Sequence, residues 1–253
     1  MEKGRKAFGK DKLEETFKHL GKSLKHPVKA YLLGGGAMCF RDQKIATKDL
    51  DLVFNSQNDF NEFELALKTC GYAESALLEK AYEDMKASGI WQNKEGFRFD
   101  LFVKIVCNAI SLSQGMLKRS APLAKYGKLD IWMVSNEDII LFKGITERLD
   151  DANDIEAIIQ RANIDWNIIF QECTNQSKAR AWYGPLYDKL AEMEKRNIRI
   201  PILGQLLKLD NMAIVREAFE EQIRKGMSRK QARAALIGKD FTKEEIDEAT
   251  GSD

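Results

Sequence analysis

Between Tyr31 and Phe54 the chain reads YLLGGGAMCFRDQKIATKDLDLVF, with two carboxylates inside its second apolar run. An ionised carboxylate is costly to bury unless something pairs with it. Asp49 and Asp51 stand at i and i+2, so a strand sends both side chains out on one face, where they repel each other unless a cation lies between them. Aspartate is also disfavoured in strands. The alternation predicts a half-buried edge strand with Leu50, Leu52 and Phe54 packed on one face and Asp49 and Asp51 on the other. The plain alternative is a solvated strand face with two harmless aspartates. Asp100, in GFRFDLFV, is a third carboxylate within an apolar strand and shares a face with Arg98, so an ion pair between those two is its plain alternative.

Gly34, Gly35 and Gly36 separate the strand VKAYLL from a short helix, AMCFRD. Without Cβ atoms the backbone there can approach a ligand and turn its N–H groups toward phosphate. Neither GxGxxG nor GxxxxGK[ST] occurs, which excludes the dinucleotide and P-loop patterns. Three carboxylates on neighbouring strands beside a glycine turn supply hard oxygen ligands suited to Mg²⁺. Two such ions about 4 Å apart clamp the attacking and leaving oxygens of a phosphoryl transfer.

The rest of the chain sets the surroundings. It has 253 residues, 44% hydrophobic and 31% charged, enough for one large or two modest domains. No apolar run approaches the roughly 20 residues of a membrane span. The charged start MEKGRKAFGKDKLEE does not read as a secretory signal, so a cytoplasmic protein without a membrane role is expected. Cys39, Cys70, Cys107 and Cys173 form no CxxC pair and only His19 and His26 accompany them, which argues against a zinc site or a disulfide framework. Net charge is +1 but unevenly spread: +5 over residues 1–30, −6 over 31–177, +7 over 178–239 and −5 over 240–253. An acidic middle with basic flanks suits a metal-dependent site whose phosphate-bearing partner, an RNA or a protein acceptor, is gripped from outside; solvated helix faces are the simpler account.

Periodicity predicts an amphipathic helix KLEETFKHL ending near Gly21, the strand–helix–strand–helix run up to Gly71, an antiparallel pair in IWQNKEGFRFDLFVKIV and a last strand KLDIWMV. From Ser135, whose hydroxyl can cap with Asp138, only helices follow. The expected organisation is a catalytic α+β domain over 1–134, a helical domain over 135–198 packed on it, and a small helical tail over 199–253. Gly226 and Gly238 punctuate that tail, whose pattern suits packing or, more weakly, a helix-turn-helix. Trp182 and Tyr183 are candidates for stacking on a base, with helix packing as the alternative; Tyr31, Trp91 and Trp132 read as core aromatics.

GGGAM, then TKDLDLVF, then FRFDLF resembles the nucleotidyltransferase superfamily that includes DNA polymerase beta, the CCA-adding enzymes and minimal nucleotidyltransferases of antitoxin and abortive-infection systems. The segment SNEDIILFKGITERLDDANDIEAI is similar to one in stand-alone bacterial and archaeal members akin to AbiEii toxins, in which a Lys, an Arg and two Asp recur as Lys143, Arg148, Asp151 and Asp154 do here. The resemblance spans roughly residues 28–160. It implies a mixed sheet flanked by helices, with an all-helical C-terminal half. It implies Asp49, Asp51 and Asp100 as ligands of Mg²⁺ or Mn²⁺ and as the catalytic set, with nucleotide contacts from Gly34, Gly35, Gly36, Thr47, Lys143 and Arg148. For Arg148 an ion-pair network with Asp150, Asp151 and Asp154 is the alternative. The implied activity is transfer of a nucleoside monophosphate from ATP or another NTP to a hydroxyl of an RNA end, a protein or a small molecule, in a toxin–antitoxin setting for some relatives. The alternative is a non-catalytic binding module, antitoxin-like or nucleic-acid-binding, on the same fold.

Overall fold

A computed structural model describes residues 6–75, 87–107, 109–146, 148, 150–176, 183–238 and 241–251. They fall into two compact units, Met1–Asp165 and Trp166–Asp253. In the first the elements run β1 (Phe8–Gly9), α1 (Lys10–Ser23), β2 (Val28–Leu33), α2 (Gly34–Phe40), β3 (Ala46–Thr47), β4 (Asp49–Phe54), α3 (Gln57–Thr69), β5 (Ala73–Glu74), β6 (Gly89–Gln92) and β7 (Arg98–Val103). Then come β8 (Ile105–Val106), β9 (Ile110–Ser111), α4 (Gln114–Arg119), β10 (Ala121–Tyr126), β11 (Leu129–Met133), α5 (Asn136–Gly144) and α6 (Asp150–Arg161). The last strand thus ends at Met133, as the sequence pattern indicates.

Seven strands form one mixed sheet in the order β10-β11-β2-β4-β7-β6-β5. The strand carrying Asp49 and Asp51 is therefore its middle member and not an edge. Its inner face is as predicted, with Leu50, Leu52 and Phe54 fully buried. Phe63 of α3 packs there 5.3 Å from the Phe54 ring and 5.7 Å from that of Phe99. Burying each such side chain contributes roughly 1.5–3 kcal/mol. On the outer face Val53 and Phe102 are buried while Asp49 and Asp51 are half-buried.

Pairing fixes where the carboxylates go. β2 runs antiparallel to β4, with Leu33 opposite Asp51. β7 runs parallel to β4 on its other side, with Asp100 opposite Asp51 and Arg98 opposite Asp49. Residues opposite each other in a ladder share a face, so the three carboxylates and Arg98 meet on the outer one. The expected β6–β7 hairpin is present; Asn93 shapes its turn by accepting from the N–H groups of Glu95 and Phe97, and Gly96 takes φ +84°.

Two local expectations change. Gly21 does not end α1, which continues to Ser23; it lies where a Cβ would sit 1.7 Å from the Tyr126 carbonyl oxygen, so it is a point of contact between the helix and the β10–β11 turn. That turn and β10 itself escape the pattern reading, because APLAKY lacks a clean alternation and carries Pro122, which is tolerated on an edge strand.

The second unit holds α7 (Trp166–Gln176), α8 (Tyr183–Lys195), α9 (Leu203–Arg224), α10 (Arg229–Leu236) and α11 (Lys243–Thr250). The last three surround a small core of Val215, Phe219, Ala232, Leu236 and Ile246. Gly226 and Gly238 punctuate them at positive φ, and Ser228 and Thr242 form capping boxes with Gln231 and Glu245. Arg216, Arg229 and Arg233 donate to the carbonyls of Ala249, Thr250 and Gly251, so three of the basic side chains here serve the C-terminus of α11. Tyr183 is buried with its hydroxyl donating to the Cys173 carbonyl at 2.9 Å, which is helix packing; Trp182 lies outside the described residues. Among the described residues no helix is long and apolar enough to cross a membrane.

Candidate active site

A cleft of about 290 Å³ opens on the outer side of the sheet where β2 passes into α2. Its walls include Gly34, Gly35, Thr47, Asp49, Asp51, Lys143 and Arg148, seven of the residues given a catalytic or nucleotide-contact role in the sequence, together with Lys44, Lys48, Cys107, Asp150, Asp151 and Asp154. Gly36 and Asp100 are not among them.

The three glycines do different things. Gly34 has φ +59°, and a Cβ on it would stand 2.2 Å from Oδ2 of Asp51. A Cβ on Gly35 would stand 2.4 Å from Oγ1 of Thr47, whose hydroxyl donates to the carbonyl of Asp49 at 3.0 Å. On Gly36 it would meet Leu50 and Leu32 at 2.6 and 2.8 Å. The first glycine thus brings the backbone against a site carboxylate, the second lets the Thr47 strand close over the turn, and the third serves the apolar core.

Asp51 is the centre of charge. Burial, with the neighbouring charges of Asp49 and Asp100 added, pushes its carboxyl up to about 8, against the opposing pull of Arg148 and Lys143. Its two neighbours share an internal cation: Arg98 donates to Asp49 at 3.1 Å and to Asp100 at 2.6 Å. Asp100 is 1% exposed and lies opposite Asp51 on the next strand, outside the cleft lining. The ion pair weighed for Asp100 in the sequence is therefore real, and it reaches Asp49 too. With two carboxylates turned onto Arg98, no three His, Cys, Asp or Glu side chains among the described residues converge on one point as metal ligands would.

The opposite wall is built by α5 and α6. Ser135 and Asp138 form the expected capping box at the start of α5, and Arg119 holds the buried Asp138 at 3.1 Å. Lys143, near the end of α5, donates to Asp151 at 2.8 Å and to Asp154 at 2.6 Å. Burial works against its charge, and the two carboxylates more than restore it, so its pKa lies above the usual lysine value. Burial likewise works against ionised Asp151 and is outweighed by Lys143 and the Thr146 hydroxyl, which hold it below the usual carboxylate value. Asp154 also receives Lys44 through both oxygens, at 2.9 and 2.8 Å. Arg148 is exposed, on the connection between the two helices. The Cys107 thiol, pushed up to about 12 by burial and then by the charge of Asp51, is not a nucleophile at neutral pH.

Lys44 and Lys48 are the site residues that sequence reasoning misses. They lie in the polar stretch DQKIATK, which has no periodicity to single them out; their nearness to the glycine turn in sequence is the signal that was available. Arg98 was visible as the face-sharing neighbour of Asp100, but its reach to Asp49 depends on strand order.

The family model described as nucleotidyltransferase of unknown function (DUF6036) matches residues 11–196. No curated protein matches the chain. With most of its length under that model, and the mixed sheet on which the nucleotidyltransferase pattern was expected, the chain belongs to this family of nucleotidyltransferases of unknown function.

Proposed function

We propose that the cleft carries out metal-dependent nucleotidyl transfer: an acceptor hydroxyl oxygen bonds to the α-phosphorus of an NTP, the bond from that phosphorus to the bridging oxygen breaks, and pyrophosphate leaves with the electron pair. The hydroxyl proton goes to the solvent of the cleft. The observation that carries this reading is Asp51, set against Gly34 at the cleft with Asp100 opposite it in register and Asp49 two residues away on its own strand. A carboxyl pushed up to about 8 by burial and two like charges is one that a hard cation stabilises in its ionised form.

The donor set fits such an ion in kind: oxygen ligands only, on a central strand, with an Asp51 carboxylate that a Cβ on Gly34 would displace. Asp49 and Asp51 are the residues to hold it at the cleft. Asp100 supports them from the neighbouring strand by charge and by fixing Arg98. A divalent ion bound there supplies positive charge to offset what develops on the phosphoryl oxygens. Lys143 and Arg148 bring positive charge to the facing wall, the first in a position fixed by Asp151 and Asp154. The acceptor, whether an RNA end, a protein side chain or a small molecule, is read from where label goes when the protein is incubated with each α-labelled NTP and Mg²⁺ or Mn²⁺, alone and with RNA or lysate. Label transferred to nothing under any of these conditions counts against the reading.

One observation favours a second reading, a nucleotide-binding module without turnover: Arg98 already bridges two of the three carboxylates without a metal. Thermal shift separates the two. Stabilisation by ATP with Mg²⁺ but not by ATP with EDTA supports the enzyme; equal stabilisation in both supports the binder.

A further inference from the structure

The cations of the cleft differ in what already holds them. Lys143 is buried and commits two of its three N–H donors to Asp151 and Asp154. Lys44 shares Asp154 with it, but its side chain is 35% exposed and its single carboxylate partner faces the cleft. Lys48, at the bend between β3 and β4, is exposed and makes no ion pair among the described residues. Both lysines therefore present ammonium groups that can still be satisfied by an incoming anion.

Their position is built rather than incidental. The segment from Lys44 to Lys48 lies against the glycine turn, because Thr47 fills the space where a Cβ on Gly35 would be. Asp154 anchors one end of it, and the other end runs directly into Asp49. Among the described residues four cationic side chains and five carboxylates line the cleft, a formal balance of minus one with Asp51 ionised. A polyphosphate enters such a space only if a metal ion reverses that balance near the α-phosphate and further positive charge meets its distal end. Lysine suits the second task, as a compact point charge on a flexible stem.

We propose that Lys44 and Lys48 form the polyphosphate grip of this cleft, taking the two phosphates that depart as pyrophosphate and so favouring nucleoside triphosphates over monophosphates. Lys48 makes its contact directly; Lys44 exchanges the carboxylate of Asp154 for phosphate oxygens. The inference rests on the nucleotidyltransferase reading and adds to it the side chains that read the length of the phosphate chain.

The test is calorimetric binding of ATP, AMP and inorganic tripolyphosphate to the full chain in Mg²⁺, with Lys44→Met, Lys48→Met and Lys48→Arg variants and Mn²⁺ affinity measured in parallel. Losing one charge-assisted contact weakens binding about tenfold or more. Each methionine variant is expected to lose that factor for ATP and tripolyphosphate alike, with AMP and Mn²⁺ binding unchanged and Lys48→Arg close to the parent. If the parent binds tripolyphosphate and both methionine variants bind it equally well, the grip is wrong while the nucleotidyltransferase reading stands. If the parent binds neither ATP nor tripolyphosphate in the presence of metal, both fall together.

Discussion

A Cβ on Gly34 would lie 2.2 Å from Oδ2 of Asp51, so the first turn glycine and the central carboxylate fit together only because one of them has no side chain. Gly34→Ala forces Asp51 aside and places alanine at φ +59°, a conformation that costs roughly 1–2 kcal/mol. Metal-dependent nucleotide binding is expected to fall far more than stability does. Gly36→Ala gives the reverse pattern, since its Cβ meets only Leu32 and Leu50; overpacking there costs roughly 1–3 kcal/mol. Urea unfolding alongside ATP binding for both variants checks the contrast. Equal loss of binding in the two would mean that the turn acts as one rigid unit.

Asp51 also makes metal-free stability depend on pH. Its carboxyl titrates at about 8 in the folded protein against 3.8 as the reference value. Between those values the folded state holds a proton that the unfolded state has released, so stability from this group is fully present below about 4 and is lost as pH rises toward 8. In EDTA the melting temperature of the parent is expected to decline across that window relative to Asp51→Asn, which lacks the group and melts higher at pH 8. Label transfer by Asp51→Asn should be lower by orders of magnitude, since each 1.36 kcal/mol of lost transition-state stabilisation is about tenfold in rate. A parallel pH course for the two proteins would show that Asp51 is ionised without help.

Lys143 is held between Asp151 and Asp154, and its removal leaves buried negative charge unpaired. Lys143→Met is therefore expected to destabilise the first unit by about 3–5 kcal/mol, in line with breaking other buried pairs. The pair has its own acid limit. Asp151 is held below the usual carboxylate value, so the stability it contributes is present above about pH 4 and lost as pH falls through its lowered pKa. The variant should lack that acid loss, which circular dichroism melts from pH 2 to 6 would reveal.

What could be read from the sequence follows from which signals are local. The alternation in DLDLVF placed Leu50, Leu52 and Phe54 on one face and the aspartates on the other, because the period of two belongs to the strand alone. That β4 is central and Asp100 falls directly opposite Asp51 depends on strand order, to which pairing across about fifty residues contributes and local pattern does not. Gly21 read as a helix end because glycine commonly is one; only the approach of Tyr126 explains it. Lys44 and Lys48 stayed hidden for the same reason, since their value comes from lying over the glycine turn and not from any spacing between them.

Arg98 raises the last question, what the carboxylates do without metal. Its guanidinium bridges Asp49 and Asp100 with almost no exposure of its own, so in the metal-free protein it offsets part of the charge of the buried Asp100 and of Asp49 at the cleft. Arg98→Met removes that charge and keeps much of the volume. In EDTA the variant should melt well below the parent, because both carboxylates lose the guanidinium that bridges them and still face Asp51. Added Mn²⁺ then has more repulsion to relieve, so the rise in melting temperature with the ion is expected to be larger in the variant than in the parent. Thermal melts with and without Mn²⁺, backed by direct Mn²⁺ titration, measure both effects. A variant destabilised in EDTA whose melting temperature Mn²⁺ leaves unmoved would mean that the carboxylates need Arg98 itself to stand in position, and that this strand pair is an ion-pair core rather than a metal site.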